Sequence, residues 1–281
     1  MIMFYETTLK PKPSTIANEK RAAEDTAEEG AKAAIAVVEE DFEPTAPDAP
    51  SLSERAGEAL LAVKAKGADL GERFNDYVEK ATVLSEQART IIQTPQRFAE
   101  QIYDAVGDLT FAFTNTIDAF NAQLQIFETY RSDLSFELNG SESRRLQVQN
   151  NEAISLAVEN ACVMQAGIAA LSVDFDTLDD AITVRKQFEG AVRTQQLRNG
   201  STEGWDDVYR LLSKLLGSVT KHINEVANLP TAIDYEFGDE NVSFVLAQDF
   251  YGDADRGDEI VQRNAVRNPL FCNRELELLS E

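Results

Sequence analysis

The chain has 281 residues, 43% of them hydrophobic, which is enough for a real core in one large or two small domains; 49 acidic against 26 basic side chains give it a formal net charge of -23. That charge opposes a phosphate backbone, which proteins grip with clustered Lys and Arg, and two cysteines with a single histidine exclude a disulfide framework and leave too few ligands for structural zinc. No run approaches the roughly 18 consecutive apolar residues of a membrane span, and MIMFYETTLK lacks the ordered parts of a secretory signal, so the expected site of synthesis and residence is the cytoplasm.

Residues 1–14, with two prolines and an apolar start, read as extended. Ala22 to Val38 has the composition of a helix, and Asp41 to Pro50 (DFEPTAPDAP), with three prolines, reads as a linker. Residues 1–50 together are expected to be an extended acidic N-terminal arm that orders on contact with neighbours. From Ser51 onward Leu60, Val63, Gly67, Leu70, Phe74, Tyr77, Ala81, Leu84, Ala88 and Ile91 follow at alternating steps of three and four, a heptad seam. It suits either an amphipathic helix lying on its own domain or a coiled-coil contact with a neighbouring copy or helix.

Thr94 is placed as an N-cap with Pro95 at the first helical position. Phe98, Ile102, Ala105, Leu109, Phe113, Ile117, Phe120, Leu124 and Phe127 then form a second stripe, whose four-residue steps near Leu109 to Ile117 mark a stutter. Its aromatics, with Phe111 beside them, suit burial against a partner helix. Leu138 to Ser141 is a turn, followed by a long helix from about Glu142 to Leu171 and another from Asp174 to about Arg198. After the Asn199-Gly200-Ser201 turn, Trp205 to Val226 is amphipathic on Val208, Leu212, Leu215, Val219 and Ile223, and Leu229-Pro230 ends it. Residues 51–229 thus read as a helical domain.

The pattern changes over residues 230–281. Ile233 to Phe237 alternates as a short strand, Gly238 to Asn241 supplies a turn, and Val242 to Phe250 reads as a helix stopped at Gly252. Asp253 can cap a second helix to about Asn264, with Ile260 and Val261 inward. Asn268-Pro269 breaks it, and Glu275 to Leu278 alternates like a closing edge strand. The expected fold class is mainly α, with long helical hairpins or a bundle, and a small C-terminal α+β unit of order βααβ.

Chemistry has little foothold. His222 sits at a helical position beside Ile223, tied to no nucleophile motif. Asp174, Asp176, Asp179 and Asp180 are explained by capping and the helix macrodipole. Asp253 to Gly257 fails the calcium-loop pattern because its glycine falls one place early. No Walker loop or dinucleotide fingerprint occurs, and no catalytic residue, metal or cofactor is expected. Arg256, Arg263, Arg267 and Arg274 are expected to pair with acidic neighbours or a protein partner.

Leu246, Ala247, Tyr251, Gly252, Ile260, Asn264, Val266 and Pro269 stand where the lysin-motif family keeps its hydrophobic and turn positions. The run VLAQDFYGDADRGDEIVQRNAVRNPLF more closely resembles the C-terminal end of the tail and baseplate proteins of Mu-like phages called DNA circularisation or circulation proteins. Asp174 to Val192 and Trp205 to Ile223 resemble the helical part that precedes it there. Two departures stand out: Cys272-Asn273-Arg274 replaces the usual Pro-Gly-Gly turn, and residues 1–50 show no strand-rich domain.

The resemblance implies a structural protein of the virion, in a contractile tail baseplate or distal tail hub, that joins tube, hub and baseplate wedge. It implies a ring of identical copies, about six as such tails have sixfold parts; the net charge and the absence of a long apolar run give the expectation of no direct nucleic acid or membrane partner. Tyr251, Gly252, Arg256, Arg263, Asn264 and Arg267 are the interaction residues it points to. The alternative is a transient assembly or entry factor that binds cell-wall glycan or DNA ends. Asp239, Asp249, Asp253 and Asp255 would crowd a glycan groove with charge.

Overall fold

Along Glu142–Ala170 apolar and small residues fall on every side of the helix, and every residue from Ala153 to Met164 is buried. A helix that is apolar all round has to be surrounded. An 18-residue window of it has a mean hydropathy of 1.4, long and apolar enough to cross a membrane, yet 89% of that window is covered by the protein itself.

The structure is a computed structural model and describes residues 13–46, 48–61, 74–87, 89, 92–132, 141–226, 232–237, 241–251 and 253–279. In chain order its elements are α1 (Pro13–Asp41), α2 (Ala49–Leu61), α3 (Phe74–Glu86), α4 (Pro95–Thr110), α5 (Thr116–Ser132), α6 (Glu142–Ala170), α7 (Leu178–Asn199), α8 (Asp206–Val226), β1 (Ala232–Glu236), α9 (Ser243–Tyr251), a 3-10 turn (Ala254–Arg256), α10 (Gly257–Arg263) and β2 (Glu275–Leu279). The fold is mainly α, and the one sheet among the described residues has two strands. The chain divides into two compact units, Met1–Asp174 with Val184–Glu225, and Phe175–Thr183 with Val226–Glu281.

In the first unit α1, α2, α4 and α5 pack on α6. Gly167 of α6 allows a close approach, since a Cβ there would lie 2.9 Å from the Phe188 ring. Fully buried Phe98, Phe120, Phe188 and Trp205 each contribute about 1.5–3 kcal/mol by leaving water. Several buried polar groups of α6 find partners. Asn160 and Asn199 exchange hydrogen bonds of 3.1 and 2.9 Å, Gln195 donates to the Asn199 carbonyl at 3.1 Å, and fully buried Glu159 pairs with Arg198. An unpaired buried carboxylate would cost several kcal/mol, so these partners fix how α7 runs past α6.

Several sequence expectations give way here. The helix expected over Ala22 to Val38 is present and longer, running from Pro13 to Asp41, so this part of the arm is not extended, and it buries Ala23, Ala27, Ala34 and Val38 on one face. Residues 1–12 lie outside the described residues. The proline-punctuated linker is packed rather than free: Phe42, Ala46 and Ala49 are buried, and Asn150 brackets the Glu43 backbone, accepting from its N–H at 2.8 Å and donating to its carbonyl at 2.9 Å.

The heptad seam does not form one rod. Ser53 donates to the Leu84 carbonyl at 3.0 Å and the Tyr77 hydroxyl donates to the Leu60 carbonyl, so α2 and α3 pack antiparallel. Leu60, Tyr77, Ala81 and Leu84 are buried within the chain itself, while Val63, Gly67, Leu70, Ala88 and Ile91 lie outside the described residues. The second stripe likewise splits into α4 and α5. Phe111 in the break is 52% exposed, and Asn115 accepts from the Ile117 N–H at 2.9 Å to start α5. The helix expected to begin at Asp174 begins at Leu178, where Thr177 accepts from the Asp180 N–H at 3.1 Å and donates to the Asp180 carboxylate at 2.7 Å.

In the second unit β1 and β2 pair antiparallel with Ile233 opposite Leu278 and Asp234 opposite Glu277. Its core gathers Phe237, Leu246, Ala247, Ile260, Cys272, Leu276 and Leu278.

The α2 and α3 crossing gives a stability test. A Cβ on Gly57 would lie 2.5 Å from the Ser85 backbone nitrogen and 2.8 Å from the Ala81 carbonyl oxygen, whereas one on Gly190 of α7 meets nothing within 4 Å. Gly57→Ala is expected to lower the unfolding free energy by about 1–3 kcal/mol through overpacking. Gly190→Ala is expected to raise it by about 0.5–1 kcal/mol through helix propensity. Denaturant unfolding of both variants reads the opposite signs.

Candidate docking site

The residues singled out near the C-terminus of the second unit are placed by short local devices. Asp253 accepts from the Asp255 N–H at 3.0 Å and so opens the 3-10 turn that leads into α10. The aspartate pair is a cap, and among the described residues no group of three or more His, Cys, Asp or Glu is placed to hold a metal ion. Gly257 lets α10 touch α9, since a Cβ there would fall 2.9 Å from the Phe244 nitrogen.

Tyr251, Arg256 and Glu259 form one cluster. Arg256 donates to both carboxylate oxygens of Glu259, at 2.9 and 3.2 Å, while its guanidinium carbon stacks 3.5 Å from the centre of the Tyr251 ring. The Glu259 bond holds the Arg256 guanidinium further above its ordinary value. The Tyr251 hydroxyl accepts from the Leu279 N–H at 2.9 Å and donates to Glu259 at 3.2 Å. Burial raises the Tyr251 phenol above its ordinary value, so it keeps the proton it donates.

Asn264 does for Glu277 what a third strand would do. Its carbonyl oxygen accepts from the Glu277 N–H at 2.8 Å and its amide donates to the Glu277 carbonyl at 2.9 Å. Arg263 adds a 3.1 Å ion pair to the Glu277 carboxylate. Tyr251, Arg256, Arg263 and Asn264, expected as interaction residues, are therefore engaged inside the unit. Arg267 is exposed, and Gly252 lies outside the described residues.

What the sequence reading missed is the outer face of the sheet. Because Leu276 and Leu278 are buried, the residues between and beside them turn outward, and the register sets Asp234 against Glu277 and Glu236 against Glu275. All four are exposed. Like charges directly opposite one another are destabilising. Arg263 offsets Glu277 and Arg274 pairs with Glu236 at 3.2 Å, while Asp234 and Glu275 have no ion-pair partner among the described residues. Asp179 and Asp180 line a cleft of about 290 Å³ together with Asp234, Arg263 and Glu277. The signal was present as IDYE and ELEL, but alternation alone does not say which acid faces which.

Elsewhere, His222 is buried on α8 and Cys162 on α6, where burial pushes the thiol far above its ordinary range; Cys272 is buried and raised for the same reason. These thiols are poor nucleophiles. A cleft of about 720 Å³ between α5 and α7 is lined by amides and apolar groups, with Glu128 and Lys186 its charged members.

No protein-family model matches the chain, and no curated protein matches it.

Asn264→Ala is expected to destabilise the second unit by about 1–3 kcal/mol, because it strands the Glu277 N–H and carbonyl. Amide exchange checks this: the Glu277 amide should lose protection, with those of α6 unchanged.

Proposed function

We propose that this chain is a structural component of a contractile phage tail, in the baseplate or distal tail hub, whose C-terminal unit is a lysin-motif-like docking module. The observation that carries this reading is an exposed apolar cluster on that unit. Phe244, Leu270 and Phe271 are 53%, 56% and 68% exposed, and the Ser243 N–H donates to the Pro269 carbonyl at 2.8 Å, tying the start of α9 to the loop that carries the other two. Exposed large apolar residues gathered in one place mark interaction sites.

Two further features support it. The strand-helix-helix-strand order falls on the segment that resembles the C-terminal end of the Mu-like phage tail proteins. The motif polar groups hold β2 and α10 in place, leaving recognition to apolar and charged surface. The helical unit serves as a spacer and contact body for neighbouring tail proteins and for further copies of this chain in a ring. A net charge of -23 suits a protein near the path of ejected DNA, since it gives phosphates nothing to grip.

Immunogold labelling of gradient-purified particles, with antibody to residues 230–281 and tails opened to expose buried copies, tests the reading. Gold is expected at the distal tail. The protein's absence from both the label and digests of the particles would overturn it.

A further inference from the structure

The two edges of the small sheet are not alike. The Phe237 N–H donates to the Arg274 carbonyl at 2.8 Å, which identifies that pair as hydrogen-bonded across the ladder. Pairing alternates in antiparallel strands, so Tyr235 with Leu276 and Ile233 with Leu278 are bonded pairs too, in the same register. Asp234, Glu236, Glu277 and Leu279 therefore turn their backbone groups away from the opposite strand.

On the β2 side those groups are used. Asn264 bonds both backbone groups of Glu277, and the Tyr251 hydroxyl accepts from the Leu279 N–H. On the β1 side, no described residue pairs with the backbone of Asp234 or Glu236, and the sheet ends at β1. Among the described residues, one edge is closed by side chains and the other is open.

The side chains along the open edge alternate in kind. On the outer face stand Asp234 and Glu236, backed across the ladder by Glu277 and Glu275. On the other face Tyr235 is 41% exposed, and its ring meets Phe237 and Phe250 edge-on at centroid distances of 4.8 and 4.9 Å. Acidic side chains at an edge keep like strands from adding. Two carboxylate pairs opposed across one ladder go further: Arg263 and Arg274 offset Glu277 and Glu236, and the charge left on Asp234 and Glu275 favours an added positive charge.

We infer that the open edge of β1 binds an extended segment of a partner protein as a third strand, one in which Lys or Arg alternate with apolar residues. Main-chain bonds to Asp234 and Glu236 supply affinity and direction, as in other strand additions. The basic side chains lie on the carboxylate face, beside Asp234 and Glu236 with Glu275 one strand behind them, and the apolar ones lie against Tyr235. A second copy of this β1 does not fit, since it would bring further acids to the same face. The inference rests on reading this unit as a docking module, and names the chemistry of one partner.

The test uses the full chain and a capped synthetic peptide of strictly alternating Lys and Val, beside a peptide of the same composition with Lys and Val in separate blocks. The alternating peptide is expected to bind at least about tenfold more tightly and to slow amide exchange at Asp234 and Glu236. Asp234→Pro removes an outward N–H that β2 does not use, a position an edge strand tolerates, and is expected to abolish the peptide-induced protection of the Glu236 amide. Glu275→Gln leaves the edge backbone intact and is expected to weaken binding by several-fold, less at high salt. Equal binding of the two peptides, or binding without amide protection, would overturn strand addition, as would an Asp234→Pro chain that still binds as the parent does. Failure here with the protein present in distal tails removes only this inference. Binding here with the protein absent from particles removes the tail assignment and leaves the strand-accepting edge.

Discussion

The helical unit depends on one constraint, the burial of α6 on every side. A helix with an ordinary apolar stripe needs one neighbour, but Ala153 to Met164 needs cover all round, and α1, α2, α4 and α5 contribute to it. Small residues decide how close that cover comes. Ala157, Ala161, Ala166 and Gly167 of α6 are buried, and Ala23, Ala27 and Ala34 line the inner face of α1. The apolar driving force is non-directional, so register has to come from elsewhere. It comes from the polar groups: the Asn160 and Asn199 exchange, the Glu159 and Arg198 pair, and the Asn150 clamp on Glu43 each tolerate a single alignment.

The second unit solves a different problem. Two strands and short helices bury little surface, and a bare two-stranded sheet is marginal in water. Here the sheet is extended without a third strand. Asn264 supplies a donor and an acceptor in the positions a neighbouring strand would occupy, and Tyr251 supplies a further acceptor while Arg256 and Glu259 hold its ring. The same residues that look like a recognition motif in one dimension are thus a mechanical closure in three.

Much of this was legible in the sequence and some was not, for physical reasons. Start and stop signals with a local mechanism read correctly: Pro95 at the first helical position, the helix start at Glu142, Asp253 ahead of the 3-10 turn and α10, and the alternation of β1 and β2; the turn expected over residues 138–141 lies largely outside the described residues. The seam from Leu60 to Leu84 misled because the same apolar spacing serves a continuous rod and a folded-back pair; only the contacts of Ser53 with Leu84 and Tyr77 with Leu60 decide. Ala22 to Val38 read as helical, which α1 is, but its packing was hidden because the spacing of its alanines carries little hydrophobic contrast against an acidic background. At the site, Tyr251 and Asn264 were visible as unusual residues, but their bonding partners lie on β2. The opposed carboxylates were invisible, since strand register is a long-range property.

Opposed carboxylates also bear on how a docking module can be specific. Phe244, Leu270 and Phe271 are exposed, and apolar contact through such residues would suit many surfaces of suitable shape. A charged edge supplies discrimination, because it raises the energy of every partner that does not neutralise it. Asp234 and Glu275 have no ion-pair partner among the described residues, while Arg263 and Arg274 hold the repulsion on Glu277 and Glu236 in check. In a chain of net charge -23, random encounters with other acidic surfaces are already disfavoured. An acidic strand edge extends that selection to the backbone level: only a segment that brings both hydrogen-bonding groups and positive charge gains from pairing there.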